Sequence, residues 1–317
     1  MLKLRVRSVT HEAEGILSYE LVDPANRALP RFEAGAHIDV KIPGGLSRRY
    51  SLCNSPTDVD CYRIAVLNAP GGRGGSKAMH EKVHAGDWIE VSEPHNFFAI
   101  QSGARHSVLL AGGIGITPIL AMMETLAARG ESFEMHYCTR DEDRTAFRRR
   151  LDGASSSERV TVHHDGGDPA KGLDIASLLA RHEDGKHVYF CGPGGFMSAI
   201  RDATAHWPND AVHFEYFGAE PPKASAAALS AGASELHLTR SNKVVPIEAG
   251  QTMLDALRNA GITCESSCEA GVCGACKTAY SAGTPEHNDY LLGDEERASQ
   301  VLLCCARVAQ GPMALEI

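Results

Sequence analysis

The sequence has no run of about 18 apolar residues, which excludes an ordinary membrane-spanning helix. It has no extended cluster of Lys and Arg. The one basic run, Arg148, Arg149 and Arg150, is isolated in a chain of net charge −9, so a nucleic-acid surface is not expected. Internal repeats are absent. The opening MLKLRVRSVT lacks the apolar core of a secretory leader, and a cytoplasmic location is the expectation. No Cys-x-His pair occurs anywhere. Charged residues make up 22% and hydrophobic residues 43%, the balance of a water-facing globular chain. At 317 residues the chain is too long for one ordinary core and suits two or three domains.

Cysteine is what the sequence has in excess. There are 10, and six of them fall between 264 and 305. Disulfides are not expected in a reducing compartment, so local crowding points to ligation. Cys268, Cys273 and Cys276 have the spacing C-x4-C-x2-C, followed by a distant Cys304-Cys305 pair. That is the plant-type [2Fe–2S] arrangement. Two sulfide-bridged irons need four thiolates from two sides; a tight loop supplies three and the fourth comes from elsewhere. Gly271 and Gly274 allow the loop to curl and bring N–H groups to the sulfurs. The rival is structural zinc, which favours paired CxxC knuckles or histidines, and only one CxxC pair is present. If 301–308 is a strand, Cys304 and Cys305 point to opposite faces. The residues leave the choice between them open. Cys264 reads as a buried structural residue.

The clearest boundary is the stretch GAEPPKASAAALSAGAS at 218–234, which has the composition of a tether. Before it, two patterns follow one another. Short alternating stretches at 2–6, 37–42, 62–67 and 88–91 predict an antiparallel barrel or sandwich. From about 104 to 217, apolar strands at 107–111, 133–138, 187–191 and 212–214 alternate with helical stretches, which predicts a doubly wound parallel sheet. After the tether, a hairpin turning at Ser241-Asn242 precedes a helix capped by Thr252 and stopped at Gly261.

Within the parallel-sheet region, Gly112, Gly113 and Gly115 lie between a strand and a helix. Glycines there let a pyrophosphate approach the backbone at the helix N-terminus. The pattern departs from GxGxxG, with Pro118 in the last place. A second turn, Cys191-Gly192-Pro193-Gly194-Gly195, also joins a strand to a helix. His163, His164 and Asp165 are adjacent on a strand and diverge, so they are not read as a metal site. In the first region, Arg48 and Arg49 offer paired phosphate donors, Tyr50 a ring to pack on an isoalloxazine, and Gly75-Ser76 a glycine-rich entry to a helix. Together they suggest a flavin.

Taken together, RRYS at 48–51, GRGGS at 72–76, AGGIGITP at 111–118, CGPGGFM at 191–197, HFEYFGA at 213–219, CEAGVCGACKT at 268–278 and LLCCAR at 302–307 resemble the phthalate dioxygenase reductase family over essentially the whole chain. The resemblance implies a multidomain protein: an antiparallel β-barrel FMN domain at 1–103, an α/β Rossmann-like NAD domain at 104–218, a linker at 219–233 and an α+β β-grasp ferredoxin domain at 234–317. It implies FMN contacts from Arg48, Arg49, Tyr50 and Ser51, backbone contacts from Ala65, Val66 and Leu67, and a phosphate closure at Gly75 and Ser76. The NADH pyrophosphate would meet Gly112, Gly113, Gly115 and Thr117, the nicotinamide would lie by Cys191, Gly192 and Pro193, and Phe217 would cover the flavin. It assigns Cys304 as fourth cluster ligand beside Cys268, Cys273 and Cys276. The short connection after the barrel lacks an adenine-holding segment, which favours FMN over FAD. Asp141, Glu142 and Asp143 would repel a 2′-phosphate despite Arg140, which favours NADH over NADPH. The implied activity is that of a monomeric reductase passing electrons from NADH through FMN to the cluster and on to a Rieske-type oxygenase. A cytochrome P450 or membrane hydroxylase as acceptor, or a redox sensor without turnover, are the alternatives. Glu265 and Glu269 belong either to a docking surface or to a solvated rim.

Overall fold

The structure, a computed structural model, describes residues 1–43, 45–69, 74–153, 157–217, 225, 229, 232–266, 269, 271 and 274–317. The chain forms two units, Met1–Phe217 and Gly218–Ile317.

Six strands open the first unit: β1 (Leu2–Ala13), β2 (Ile16–Val22), β3 (His37–Ile42), β4 (Leu46–Ser51), β5 (Cys61–Leu67) and β6 (Trp88–Val91). They pair in the order β4-β3-β6-β1-β2-β5, and a bridge between Leu52 and Ile64 closes the first strand onto the last. Closure removes the exposed edges of an antiparallel sheet, which makes this a barrel. Alternation decides its inside: Leu4, Val6, Ile38, Val40, Leu52 and Ile64 are buried, while Lys3, Arg5 and Arg7 face out. Helix α1 (Gly75–Lys82) packs against this core through Met79, whose carbonyl accepts from the Tyr19 hydroxyl at 3.0 Å.

Five parallel strands follow: β7 (His106–Gly112), β8 (Phe133–Thr139), β9 (Val160–His164), β10 (Lys186–Cys191) and β11 (Val212–Glu215), in the order β11-β10-β7-β8-β9. The continuous run Val108-Leu109-Leu110-Ala111 is fully buried because both faces of a parallel sheet are covered. Leu109, Met135, Tyr137 and Tyr189 pack on one face; Val108, Leu110, Val188 and Phe190 pack on the other. The chain winds outward from β7 through β8 to β9, then returns to place β10 on the other flank of β7. The order therefore reverses between β7 and β10, and their C-terminal ends frame the crevice where such sheets take ligands.

The second unit is a mixed sheet of β12 (Ser234–Leu238), β13 (Lys243–Ile247), β14 (Lys277–Glu286), β15 (Gln300–Leu302) and β16 (Arg307–Leu315), ordered β13-β12-β16-β14-β15. Only β12 and β16 run parallel. The helix Met253–Asn259 packs on it through Leu254 and Leu257, giving the β-grasp arrangement. Thr252 caps that helix by accepting from the Asp255 N–H at 3.1 Å. At its end, Gly261 and Ile262 donate back to Arg258 and Leu257, both at 2.9 Å.

The condition for strand alternation around Cys304 and Cys305 is not met. Residues 301–308 are not a single strand. β15 stops at Leu302, a turn carries Leu303, Cys304 and Cys305, and β16 begins at Arg307. The Cys305 and Ala306 N–H groups donate back to the Leu302 carbonyl, at 3.1 and 2.9 Å, which closes a turn in place of a ladder. Alternation along a strand thus cannot choose between the two cysteines.

Candidate functional site

The barrel end of the first unit gathers Arg48, Arg49, Tyr50 and Ser51 on β4. Register with β3 pairs Tyr50 with Ile38 and Arg48 with Val40, so these two share the face of the barrel core. Ser51 pairs with His37 and Arg49 with Asp39, on the opposite face. Arg48 lies across the start of α1: a Cβ on Gly75 would stand 2.7 Å from Arg48 Nε and 2.8 Å from its Cγ. A side chain at 75 would push Arg48 aside; glycine lets the guanidinium stem lie against the Gly75-Ser76 turn. Ser76 Oγ accepts from the Ala69 N–H at 3.2 Å. Pro70, Gly71, Gly72 and Arg73 lie outside the described residues. On β5 Ala65 and Val66 are buried and Leu67 is exposed; the Val66 carbonyl accepts from His80 Nε2 at 2.8 Å.

Three buried polar atoms at this end have no hydrogen-bond partner among the described residues: Arg49 Nε, the Tyr50 hydroxyl and His37 Nδ1. The nearest carboxylates stand at 4.0 Å (Asp39, from Arg49) and 3.9 Å (Glu215, from His37). Buried polar atoms are nearly always satisfied, so these orphans on β3 and β4, the Tyr50 hydroxyl on one face and Arg49 and His37 on the other, fit a polar group bound at this end of the barrel. Burial pushes the Tyr50 phenol up. Burial, followed by the nearby Arg49 and His95, pulls His37 down to about 3, so its imidazole is neutral.

The crevice between β7 and β10 explains the glycines in an unexpected way. A Cβ on Gly115 would lie 2.1 Å from the Cys191 carbonyl oxygen and 2.8 Å from the Gly192 nitrogen. One on Gly112 would meet Pro193 Cδ at 2.8 Å, and one on Gly192 would meet Phe196 at 2.6 Å and the Gly112 Cα at 3.0 Å. The two strand-to-helix turns therefore interlock, glycine against glycine. Gly113, at φ 53°, and Gly194 and Gly195 have no heavy atom within 4 Å of such a Cβ and face open space. Helix α2 (Ile116–Arg129) starts directly after the first turn with Pro118 in its opening turn. Thr117 is buried, and its hydroxyl donates to the Ile114 carbonyl at 3.2 Å. It braces the turn from inside.

Glu215, which sequence reasoning passed over inside HFEYFGA, joins the two ends. It closes β11 beside Cys191 in register, and its Oε2 accepts from Ser51 Oγ at 3.1 Å. The residues brought together are thus His37, Ser51, Cys191 and Glu215, from four separate strands. The available signal was a carboxylate at the C-terminal end of a parallel strand. The Cys191 thiol is fully buried, and burial, with the Glu215 charge second, raises it well above the ordinary range. Phe217 is half-buried against the same core. His163 and His164 diverge as expected, one to His136 at 3.0 Å and the other to Thr145 at 3.1 Å. Two of the acids that would oppose a 2′-phosphate are engaged: Asp141 with Arg144 at 2.5 Å, and Glu142 with Arg148.

In the second unit, Cys276 and Cys304 are both buried, and the Cys304 thiol faces Cys276, Cys305 and the backbone N–H of Gly271. The Cys305 thiol lies beside that of Cys304 and donates to the Leu302 carbonyl at 3.5 Å. Two soft donors side by side with a backbone N–H aimed at one of them fit an iron–sulfur site. Cys268 and Cys273 lie outside the described residues. Among the described residues no group of three or more His, Cys, Asp or Glu is arranged to hold a metal ion. Cys264 is half-buried against the core of this unit. Glu269 is ion-paired with Arg258, while Glu265 is exposed.

Comparison with known proteins supplies the domain types and the family. The model of the 2Fe-2S iron-sulfur cluster binding domain matches residues 236–309, and that of the oxidoreductase NAD-binding domain matches 109–202. The tert-butanol monooxygenase / tert-amyl alcohol desaturase reductase subunit of Aquincola tertiaricarbonis is 43% identical, covering 100% of this chain and 96% of its own. A solved phthalate dioxygenase reductase, with a modular structure for electron transfer from pyridine nucleotides to [2Fe–2S], is 41% identical with a TM-score of 0.72, covering 100% of this chain and 98% of its own. An intact type IV self-sufficient cytochrome P450 monooxygenase is 38% identical with a TM-score of 0.85, over 99% of this chain and 41% of its own.

Proposed function

The chain belongs to the phthalate dioxygenase reductase family, and from that premise we propose that its electron acceptor is the separate oxygenase component of a Rieske-type system. The chain is an NADH-dependent oxidoreductase, a flavoprotein using FMN and a [2Fe–2S] cluster. A bound flavin would supply acceptance of a hydride from NADH and release of electrons one at a time, and a bound cluster would supply one-electron carriage.

The chain's own residues supply position and electrostatics. Arg48 and Ser76 at the start of α1 hold the flavin phosphate, with Gly75 clearing the path. Arg49 Nε and the Tyr50 hydroxyl, buried and unspent, meet the ring's polar edge. Ser51 and the backbone of Ala65, Val66 and Leu67 seat the ring, and Glu215 holds the Ser51 hydroxyl in place. Gly113 offers open backbone to the NADH pyrophosphate, Gly112, Gly115 and Thr117 shape the turn that presents it, and Cys191, Gly192 and Pro193 form the nicotinamide wall. Phe217 covers the flavin face that nicotinamide must reach. Cys268, Cys273, Cys276 and Cys304 ligate the cluster. These assignments divide the chain into an FMN barrel at 1–103, an NAD domain at 104–218, a linker at 219–233 and a ferredoxin domain at 234–317.

A single observation carries the choice of acceptor class. It is the full-length likeness to phthalate dioxygenase reductase, 41% identical over 100% of this chain; the sequence has no Cys-x-His pair of the kind that ligates a Rieske centre. A cytoplasmic monomer is part of this proposal. Among the described residues no helix is long and apolar enough to cross a membrane. A second reading, a cytochrome P450 as acceptor, is favoured by the match to the fused P450. The test is reconstitution of flavin- and iron-replete protein with NADH and a purified Rieske-type oxygenase component, measuring product formed per NADH. Coupled turnover supports the proposal. Reduction of cytochrome c with no transfer to that oxygenase would remove the Rieske assignment, and no NADH oxidation at all would remove the acceptor reading altogether.

A further inference from the structure

The segment that runs from β14 toward β15 concentrates buried polarity beside Gly271 and Cys305. The Asp289 side chain is 1% exposed. Its Oδ1 accepts from the Leu291 and Leu292 N–H groups at 3.1 and 2.7 Å. Its Oδ2, His287 Nδ1 and Arg297 Nε are all buried without a hydrogen-bond partner among the described residues. His287 Nδ1 stands 3.6 Å from Oδ2, and Arg297 Nη2 stands 3.5 Å from Oδ1 while donating to the Asp289 carbonyl at 3.0 Å. Burial pushes the Asp289 carboxyl up, but the His287 imidazole, the Leu292 N–H and Arg297 outweigh it and hold it down to about 2. A neutral Asn would serve the two N–H groups equally well. A buried charge is costly, so its presence calls for a reason beyond the turn.

Its position supplies one. Gly271 lies between the second-unit cysteines 268 and 273 in sequence and has φ 73°. A Cβ there would stand 2.9 Å from the Asp289 Cα and 2.9 Å from Cys305 Sγ. The Gly271 carbonyl accepts from the Tyr290 N–H at 2.9 Å, and its own N–H meets the Cys304 thiol. The Asp289 turn therefore grips the loop at the residue that hydrogen-bonds a ligand sulfur. Reduction adds one negative charge to the cluster, so fixed charge close by shifts its potential.

We propose that Asp289, balanced by Arg297 and flanked by His287, is a positioning residue for the iron–sulfur site: it clamps the ligand loop through Gly271, and its charge balance with Arg297 sets the cluster's reduction potential. The inference rests on the ligand assignment of Cys276 and Cys304. The experiment is a mediated redox titration of the full, cluster-loaded chain, followed by the EPR signal of the reduced cluster. Asp289→Asn keeps both N–H contacts, removes the charge and leaves Arg297 unbalanced, so the midpoint rises. Arg297→Gln leaves the carboxylate unbalanced, so the midpoint falls. Combining the two brings it back toward wild type, and Arg297→Lys keeps the wild-type value. Loosened packing would not produce opposite shifts. Midpoints unchanged in both single variants, or moved in the same direction, overturn the proposal. If Asp289→Asn does not assemble a cluster, Arg297→Gln decides alone: a fall supports the proposal, and no change or a rise refutes it. NADH reduction of ferricyanide by wild type, read in parallel, reports the flavin half separately, so its loss would count against the function and not against Asp289.

Discussion

Gly115→Ala separates two explanations of the glycine turn after β7. If the glycine exists to admit a pyrophosphate, alanine weakens NADH binding and leaves the fold alone. The geometry says otherwise. The added methyl would lie 2.1 Å from the Cys191 carbonyl oxygen and 2.4 Å from its carbon, both backbone atoms at the end of a buried strand. No flexible side chain can yield, so β10 must move by an ångström or more. Overpacking of this kind costs about 3 kcal/mol. For a unit of this size each kcal/mol lowers the melting temperature by about 2–4 °C, giving a fall of about 6–12 °C. Gly194→Ala is the control: it faces open space at the first position of its helix and should melt with wild type. The assay is the rise in flavin fluorescence as FMN-loaded protein is heated without nucleotide, alongside KM for NADH. A Gly115→Ala protein that melts with wild type while its KM rises would refute the interlocking-turn argument.

Further expectations concern the hydride end and the cluster. Ser51→Ala removes the hydrogen bond to the Glu215 carboxylate; at about 1.5–3 kcal/mol for a bond to a charged group, flavin reduction by NADH should slow by about tenfold or more in stopped flow, and an unchanged rate would count against that pairing. Cys304→Ser should lose the cluster's EPR signal and cytochrome c reduction yet keep NADH reduction of ferricyanide, whereas Cys305→Ser should keep all three; the reverse pattern would make Cys305 the ligand. His37 has a folded pKa of about 3, far below its unfolded value, so the unfolded state binds the extra proton and stability falls as pH drops from about 6.5 toward 3. His37→Gln should flatten the dependence of melting temperature on pH between about 6.5 and 5, and an unaltered slope would contradict a neutral buried imidazole.

Periodicity and spacing are local properties, and what depends on them could be read from the chain. Alternation along 37–42 put Ile38 and Val40 inside the barrel, and the unbroken Val108-Leu109-Leu110-Ala111 run required cover on both faces. The spacing of Cys268, Cys273 and Cys276 stated the ligand chemistry before any fold was known. The tether composition at 218–234 coincides with the division of the chain after Phe217. Tertiary structure decided what depends on distant segments meeting. It joined His37, Ser51 and Glu215, residues far apart in the chain whose types alone announce nothing. It put a turn at 303–305, where the Cys305 and Ala306 N–H groups close on Leu302, so the alternation of a strand does not apply to Cys304 and Cys305. It also gave Gly112 and Gly115 a second reason to be glycine. A single strand-to-helix turn signals room for a phosphate, but contact between two such turns exists only once β7 and β10 lie side by side, and no periodicity within either segment encodes that approach.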